Sequence, residues 1–187
     1  MTGIVSLWLP ILISAVLVFV VSSIIHMASP WHKNDYPRLP NEDAFRLAVG
    51  PLDLPPGDYM IPRPESRADL QSPEFAEKAR QGPNVIMTVM PRGMPGMTQN
   101  LVMWFIYLVA VTTLAAYVVG RSTPPGAEYM HVFQLVSTVA FIGYAVALWQ
   151  MSIWYRRSWN ITIKATIDGL IYAFLTAGVF GWLWPVG

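Results

Sequence analysis

The chain has 187 residues, of which 54% are hydrophobic and only 12% charged, with a net charge of +1. Globular domains carry roughly a quarter charged residues, so a single soluble core is excluded, and a near-neutral chain offers no basic surface to nucleic acid. Zero cysteines exclude disulfides, thiolate zinc sites, iron–sulfur clusters and covalent c-type haem, and leave the redox compartment unmarked.

The charge is also uneven. Residues 28–99 hold 8 of the 12 Lys/Arg and 9 of the 11 Asp/Glu, and the other 115 residues hold 4 and 2. Crossing a bilayer by helix takes about 20 mostly apolar residues, because every backbone polar group must be satisfied within the segment. Residues 4–27, 101–120, 132–154 and 166–184 meet that requirement. The first lacks a basic leader and exceeds the roughly 7–15 apolar residues of a signal peptide, so it reads as a retained anchor. Residues 28–99 carry 12 of the 16 prolines and read as a partly folded extramembrane loop. In it Asn41-Glu42-Asp43 and Ser72-Pro73-Glu74 have the form of helix starts, and Gly50 and Gly82 of helix exits. Tyr59-Met60-Ile61 and residues 85–90 are strand-like and able to pair as a ribbon. A tight connector, Thr123-Pro124-Pro125-Gly126, joins the second and third spans. Trp104, Trp149, Trp154 and Trp159 mark one interface; Trp8, Tyr117, Tyr129, Trp182 and Trp184 mark the other. The fold class is therefore all-α integral membrane, with four transmembrane helices. Arg156, Arg157 and Lys164 against Arg121 place residues 28–99 on the inner side.

The run Ile25-His26-Met27, Pro30-Trp31-His32-Lys33-Asn34-Asp35-Tyr36 and Leu39-Pro40-Asn41-Glu42 resembles a family of small, functionally uncharacterised bacterial polytopic membrane proteins. The resemblance continues loosely through Gly57-Asp58-Tyr59-Met60 and the last two spans. It implies a bacterial inner-membrane protein and brings no activity, cofactor or site residue.

Four features bear on chemistry. His26, His32 and Asp35, with Glu42 and Asp43 near in sequence, offer the imidazole and carboxylate ligands of zinc, iron and manganese sites. Pro30 breaks the helix between the histidines, so convergence has to come from a loop; an interfacial cap and a solvated loop entry is the simpler expectation. Met87, Met90, Met94 and Met97, with Met60 and Met103, supply thioethers that suit Cu(I), or else plain apolar packing. Asp168 is the only acid in a span, expected in the first turn of the fourth helix as a cap or a partner for Lys164. Thr112, Ala116 and Gly120, and Ala173, Ala177 and Gly181, are small residues at four-residue spacing, a helix-packing signal.

His26 and His131 fall at opposite ends of their spans, about 30 Å apart, so a haem ligated by both is excluded. No phosphate-binding glycine loop, HExxH or GxSxG occurs, and the expectation is no enzyme and no cofactor. The sequence then reads first as a non-catalytic accessory subunit among other integral membrane subunits, with bacterial photosynthetic reaction-centre and respiratory complexes as assemblies of that kind. It reads second as a metal-binding or metal-handling membrane protein using the His26/His32/Asp35 region or the methionine run.

Overall fold

The computed structural model describes residues 1–93 and 96–186 and is predominantly helical. Four helices, Ile4–Ala28, Met97–Ser122, Tyr129–Tyr155 and Trp159–Trp182, are long and apolar enough to cross a membrane. The first contains α1 (Trp8–Ser23), entered by a single 3₁₀ turn and closed by a π-helical turn over Ile24–Ala28. Only about a third of each span is buried within the chain. The outward faces remain apolar, with Leu12, Val16, Ile106, Leu114, Ile142 and Phe174 all exposed. Helices that are apolar all round belong in a protein interior or in lipid.

Two compact units divide the chain, one of residues 1–37 and 96–187, the other Arg38–Pro95. In the second unit α2 (Glu42–Val49) is capped by the Asn41 side chain, which accepts from the Ala44 amide. Antiparallel strands β1 (Gly57–Ile61) and β2 (Val85–Val89) pair with Tyr59 opposite Met87. Between them lie α3 (Arg67–Leu70) and α4 (Pro73–Gln81), capped by Ser66 and Ser72. None of the described residues of this unit is buried. It has no core of its own.

In the first unit α5 is Met97–Ser122, and the third span is split into α6 (Tyr129–Tyr144) and α7 (Trp149–Tyr155); α8 is Trp159–Trp182. Helix α8 packs most extensively on α6 and, on another face, on α1, which also lies against α5. The small-residue rows lie inside this bundle: Thr112, Ala116, Gly120, Ala173 and Ala177 are all buried within the chain. At Gly181 a Cβ would stand 2.7 Å from the Tyr129 ring. Helices approach closely there because no side chain separates the backbones.

Two boundaries depart from the hydropathy reading. The third span breaks at Ala145, which leaves helical geometry with φ −129 and ψ −41. The Gly143 carbonyl beside the break accepts from the Tyr107 hydroxyl at 2.6 Å. A kinked helix in an apolar environment needs such a substitute partner. The fourth helix begins at Trp159, seven residues before the apolar stretch, because the Ser158 carbonyl accepts from the amides of Ile161 and Thr162. The polar residues Asn160, Thr162 and Lys164, which read as connector, are helical.

One end of the bundle gathers three chain segments. The Thr2 amide donates to the carbonyls of Gly120 at 2.7 Å and Thr123 at 3.1 Å. The Trp184 indole donates to the Pro124 carbonyl at 2.9 Å, and the Gly126 amide to the Pro185 carbonyl at 2.8 Å. The exit of α1 lies at the other end, and the candidate site is there.

Candidate functional site

A polar cluster joins the exit of the first helix to α8. Its scaffold is set locally. The π turn carries His26, and residues 29–36 then fold as successive turns, with the Lys33 amide donating to the Pro30 carbonyl and the Asp35 amide to that of His32. These turns bring Trp31, His32 and Asp35 to the face of α8 bearing Lys164 and Asp168. Those two residues are one helical turn apart, so they share a face.

His32 lies between two carboxylates. Its Nδ1 is 2.6 Å from Asp35 Oδ2 and its Nε2 is 2.8 Å from Asp168 Oδ2. Carboxylates only accept, so both contacts are hydrogen bonds when both ring nitrogens carry protons. Lys164 Nζ donates to Asp35 Oδ1 and to the Trp31 carbonyl, each at 2.7 Å, and stands 5.5 Å from the centre of the Trp31 ring. The Trp31 indole donates to Asp168 Oδ1 at 3.1 Å. The side chains of Asp35 and Asp168 are 6% and 5% exposed. Carboxylates that far from water persist because each is met by donors and opposite charge. The Lys164 ammonium, followed by His32, holds the Asp35 carboxyl below its ordinary value of 3.8.

His26 stacks on His32, ring centres 4.4 Å apart and planes within 11° of parallel. Its Nδ1 is 3.0 Å from the Ser22 carbonyl. A carbonyl cannot donate, so Nδ1 carries the proton and Nε2 of the neutral ring keeps its lone pair. One ring nitrogen from each histidine and one carboxylate oxygen of Asp168 lie within 4.8 Å of one another. Those three residues have the ligand chemistry of a two-histidine, one-carboxylate metal site.

Asp168 departs most from its sequence reading. It is not in the first turn of its helix but nine residues after Trp159, about 13 Å along the axis at ~1.5 Å per residue. It does not pair with Lys164, whose partner is Asp35. The reason is the early helix start, which turns Lys164 from a connector residue into Asp168's neighbour on one face. Asp35, expected as a ligand, is bound instead to Lys164 and the far nitrogen of His32. Glu42 and Asp43 belong to the Arg38–Pro95 unit, on α2.

The methionine run is divided. Met87 is in β2, Met90 follows it, and Met97 opens α5; Met94 lies outside the described residues. Met27 and Met97 line, with His26, Asn100 and Trp104, a cleft of 470 Å³ between the exit of α1 and the start of α5. His131 is in the first turn of α6, beside the Pro-Pro-Gly connector.

Asp168 and Lys164 stand more than 125 residues from their partners, and the spacing of the loop histidines does not point to them. The available signal was the acid itself: an ionisable residue within an apolar span is costly and needs a partner. No protein-family model, curated protein or solved structure matches the chain.

Proposed function

We propose that the chain is a metal-binding membrane protein that holds one divalent ion with His26, His32 and Asp168. The observation that carries this reading is the convergence of the three ligand groups within 4.8 Å, each with its remaining polar atom already engaged. Ser22 fixes His26, Asp35 backs His32, and Trp31 holds the second oxygen of Asp168. Outer partners of this kind orient metal ligands and raise their basicity. Ligand atoms at right angles on an ion at ~2.1 Å stand about 3 Å apart. The 2.8 Å between His32 Nε2 and Asp168 Oδ2 suits that edge, and the imidazole proton leaves as the ion enters. Two nitrogens and a carboxylate favour zinc, iron(II) or manganese(II) over Cu(I), which prefers thioethers and thiolates. A π turn at the His26 position is in keeping with this reading, since such turns are rare and concentrate at functional sites.

The test is zinc binding by the purified protein in detergent, measured by equilibrium dialysis and metal analysis. One zinc per chain is expected. Substitution of His26 or His32 by Ala, or Asp168→Asn, should remove it, and Asp35→Asn should weaken it about 10–100-fold. Folded protein that takes up no stoichiometric zinc, iron or manganese refutes the reading.

A second reading, of an accessory subunit held by other integral membrane subunits in a bacterial inner membrane, is favoured by the Arg38–Pro95 unit. That unit buries no described residue yet exposes Phe45, Leu47, Leu52 and Met60, which is the condition of a segment that gains its packing from a partner. The small-residue rows no longer support this reading, because they are used within the chain. Gentle solubilisation and native mass measurement decide it: a monomer without partners counts against it.

A further inference from the structure

We infer that the metal's open coordination positions take a phosphate-class oxyanion, with Lys33 as its counter-charge; this rests on the metal-binding reading above. Three protein ligands leave at least one position free on a four-coordinate ion and three on a six-coordinate one. That vacancy has a place to open. His26 and His32 both line a cleft of 450 Å³ whose far wall includes Ser29 and Lys33. Lys33 is exposed and makes no ion pair among the described residues.

The charge balance fixes the sign of the guest. A divalent ion and Asp168 together leave one positive charge, and Asp35 is neutralised by Lys164. Lys33 adds a second positive charge, and no acid lines the cleft. Such a surface draws an anion with one or two negative charges and hard oxygen donors. Phosphate oxygens meet both demands, binding a metal ion directly and a lysine as a point charge. The cleft is at the exit of an apolar span, the level at which lipid phosphates reside, so the phosphate can belong to a free ion or to a headgroup.

The experiment uses the full chain in dodecyl maltoside, loaded with cobalt(II) as a visible-absorbing substitute for zinc, in phosphate-free buffer. Cobalt uptake alone is measured first. Inorganic phosphate is then titrated in one arm and short-chain phosphatidylglycerol in the other, with acetate as a comparison. A saturable change in the cobalt absorption bands is expected with at least one phosphate source and stronger than with acetate. A response confined to inorganic phosphate identifies a soluble anion, and one confined to the lipid a headgroup; either supports the proposal. At full cobalt occupancy, Lys33→Gln should weaken the response about tenfold, and Lys78→Gln on α4 should leave it unchanged. Cobalt bound with bands indifferent to both phosphates overturns the inference and leaves the metal site standing, as does an unchanged response in Lys33→Gln. Failure to bind cobalt overturns both.

Discussion

Gly169, beside Asp168, lies where α8 meets the break in the third span. A Cβ added there would be 2.7 Å from the Ala145 Cβ and 3.4 Å from both the Ala145 Cα and the Tyr144 carbonyl carbon. Relaxed carbon contacts are ~3.5–4.0 Å, so Gly169→Ala must part the two backbones by about 1 Å. Neither neighbour has a flexible end that can swing away. Overpacking of this kind costs about 1–3 kcal/mol, against a gain of ~1 kcal/mol from replacing glycine in a helix. Gly178, on the same helix, is the internal comparison: its added Cβ meets only the Tyr129 hydroxyl at 3.7 Å, an ordinary contact. Gly178→Ala should therefore be neutral or stabilising by up to ~1 kcal/mol. The two variants should differ by about 1–3 kcal/mol, roughly 5- to 150-fold in the folding equilibrium. Reversible unfolding in mixed micelles, titrated with dodecyl sulfate and followed by helical circular dichroism, measures the difference. Equal stability of the two alanine variants would refute the tight α6–α8 approach.

Asp35 titrates below its ordinary 3.8 in the folded chain because Lys164 and His32 favour its ionised form. Its stabilisation is thus complete above pH ~4 and lost as pH falls through the lowered value. Asp35→Asn should flatten that acid stretch of the stability curve between pH 3 and 5, and a curve as steep as the parent's refutes the ion-pair assignment. For topology, Arg156, Arg157 and Lys164 against Arg121 give an inward-facing 28–99 segment. A cysteine introduced by Ser66→Cys should react with an impermeant maleimide only after bacterial cells are permeabilised; labelling of intact cells reverses the orientation.

The four helical spans are legible in the sequence because backbone desolvation and apolar length leave little alternative. Their ends are less so. Hydropathy reports where side chains stop being apolar, whereas a helix stops where its backbone bonds do, and at Trp159 the two differ by seven residues. The break at Ala145 carries no proline, and its stabilising partner, Tyr107, is on a different helix. Within the site, His26 and His32 stood out as residue types, and Pro30 correctly implied a loop. The third group did not, because Asp168 joins them only through packing of α8 against the first helix. Asp35 attracted notice for proximity in sequence, and its actual partners, Lys164 and the outer nitrogen of His32, could be found only by folding the loop back.

The π turn at Ile24–Ala28 sets the angular position of His26. Such a turn holds about one residue more than an α turn, and each residue of an α-helix advances ~100° around the axis. Removing one residue from this turn would let the helix run on as α and swing everything after it by that angle. His26 would then lose both the Ser22 carbonyl and the ring of His32, while every ligand type remained in the sequence. The three ligands are therefore a property of helix length as much as of residue identity. A chain that kept all of them but lacked one residue between positions 24 and 28 would present an ordinary anchor with two unrelated histidines.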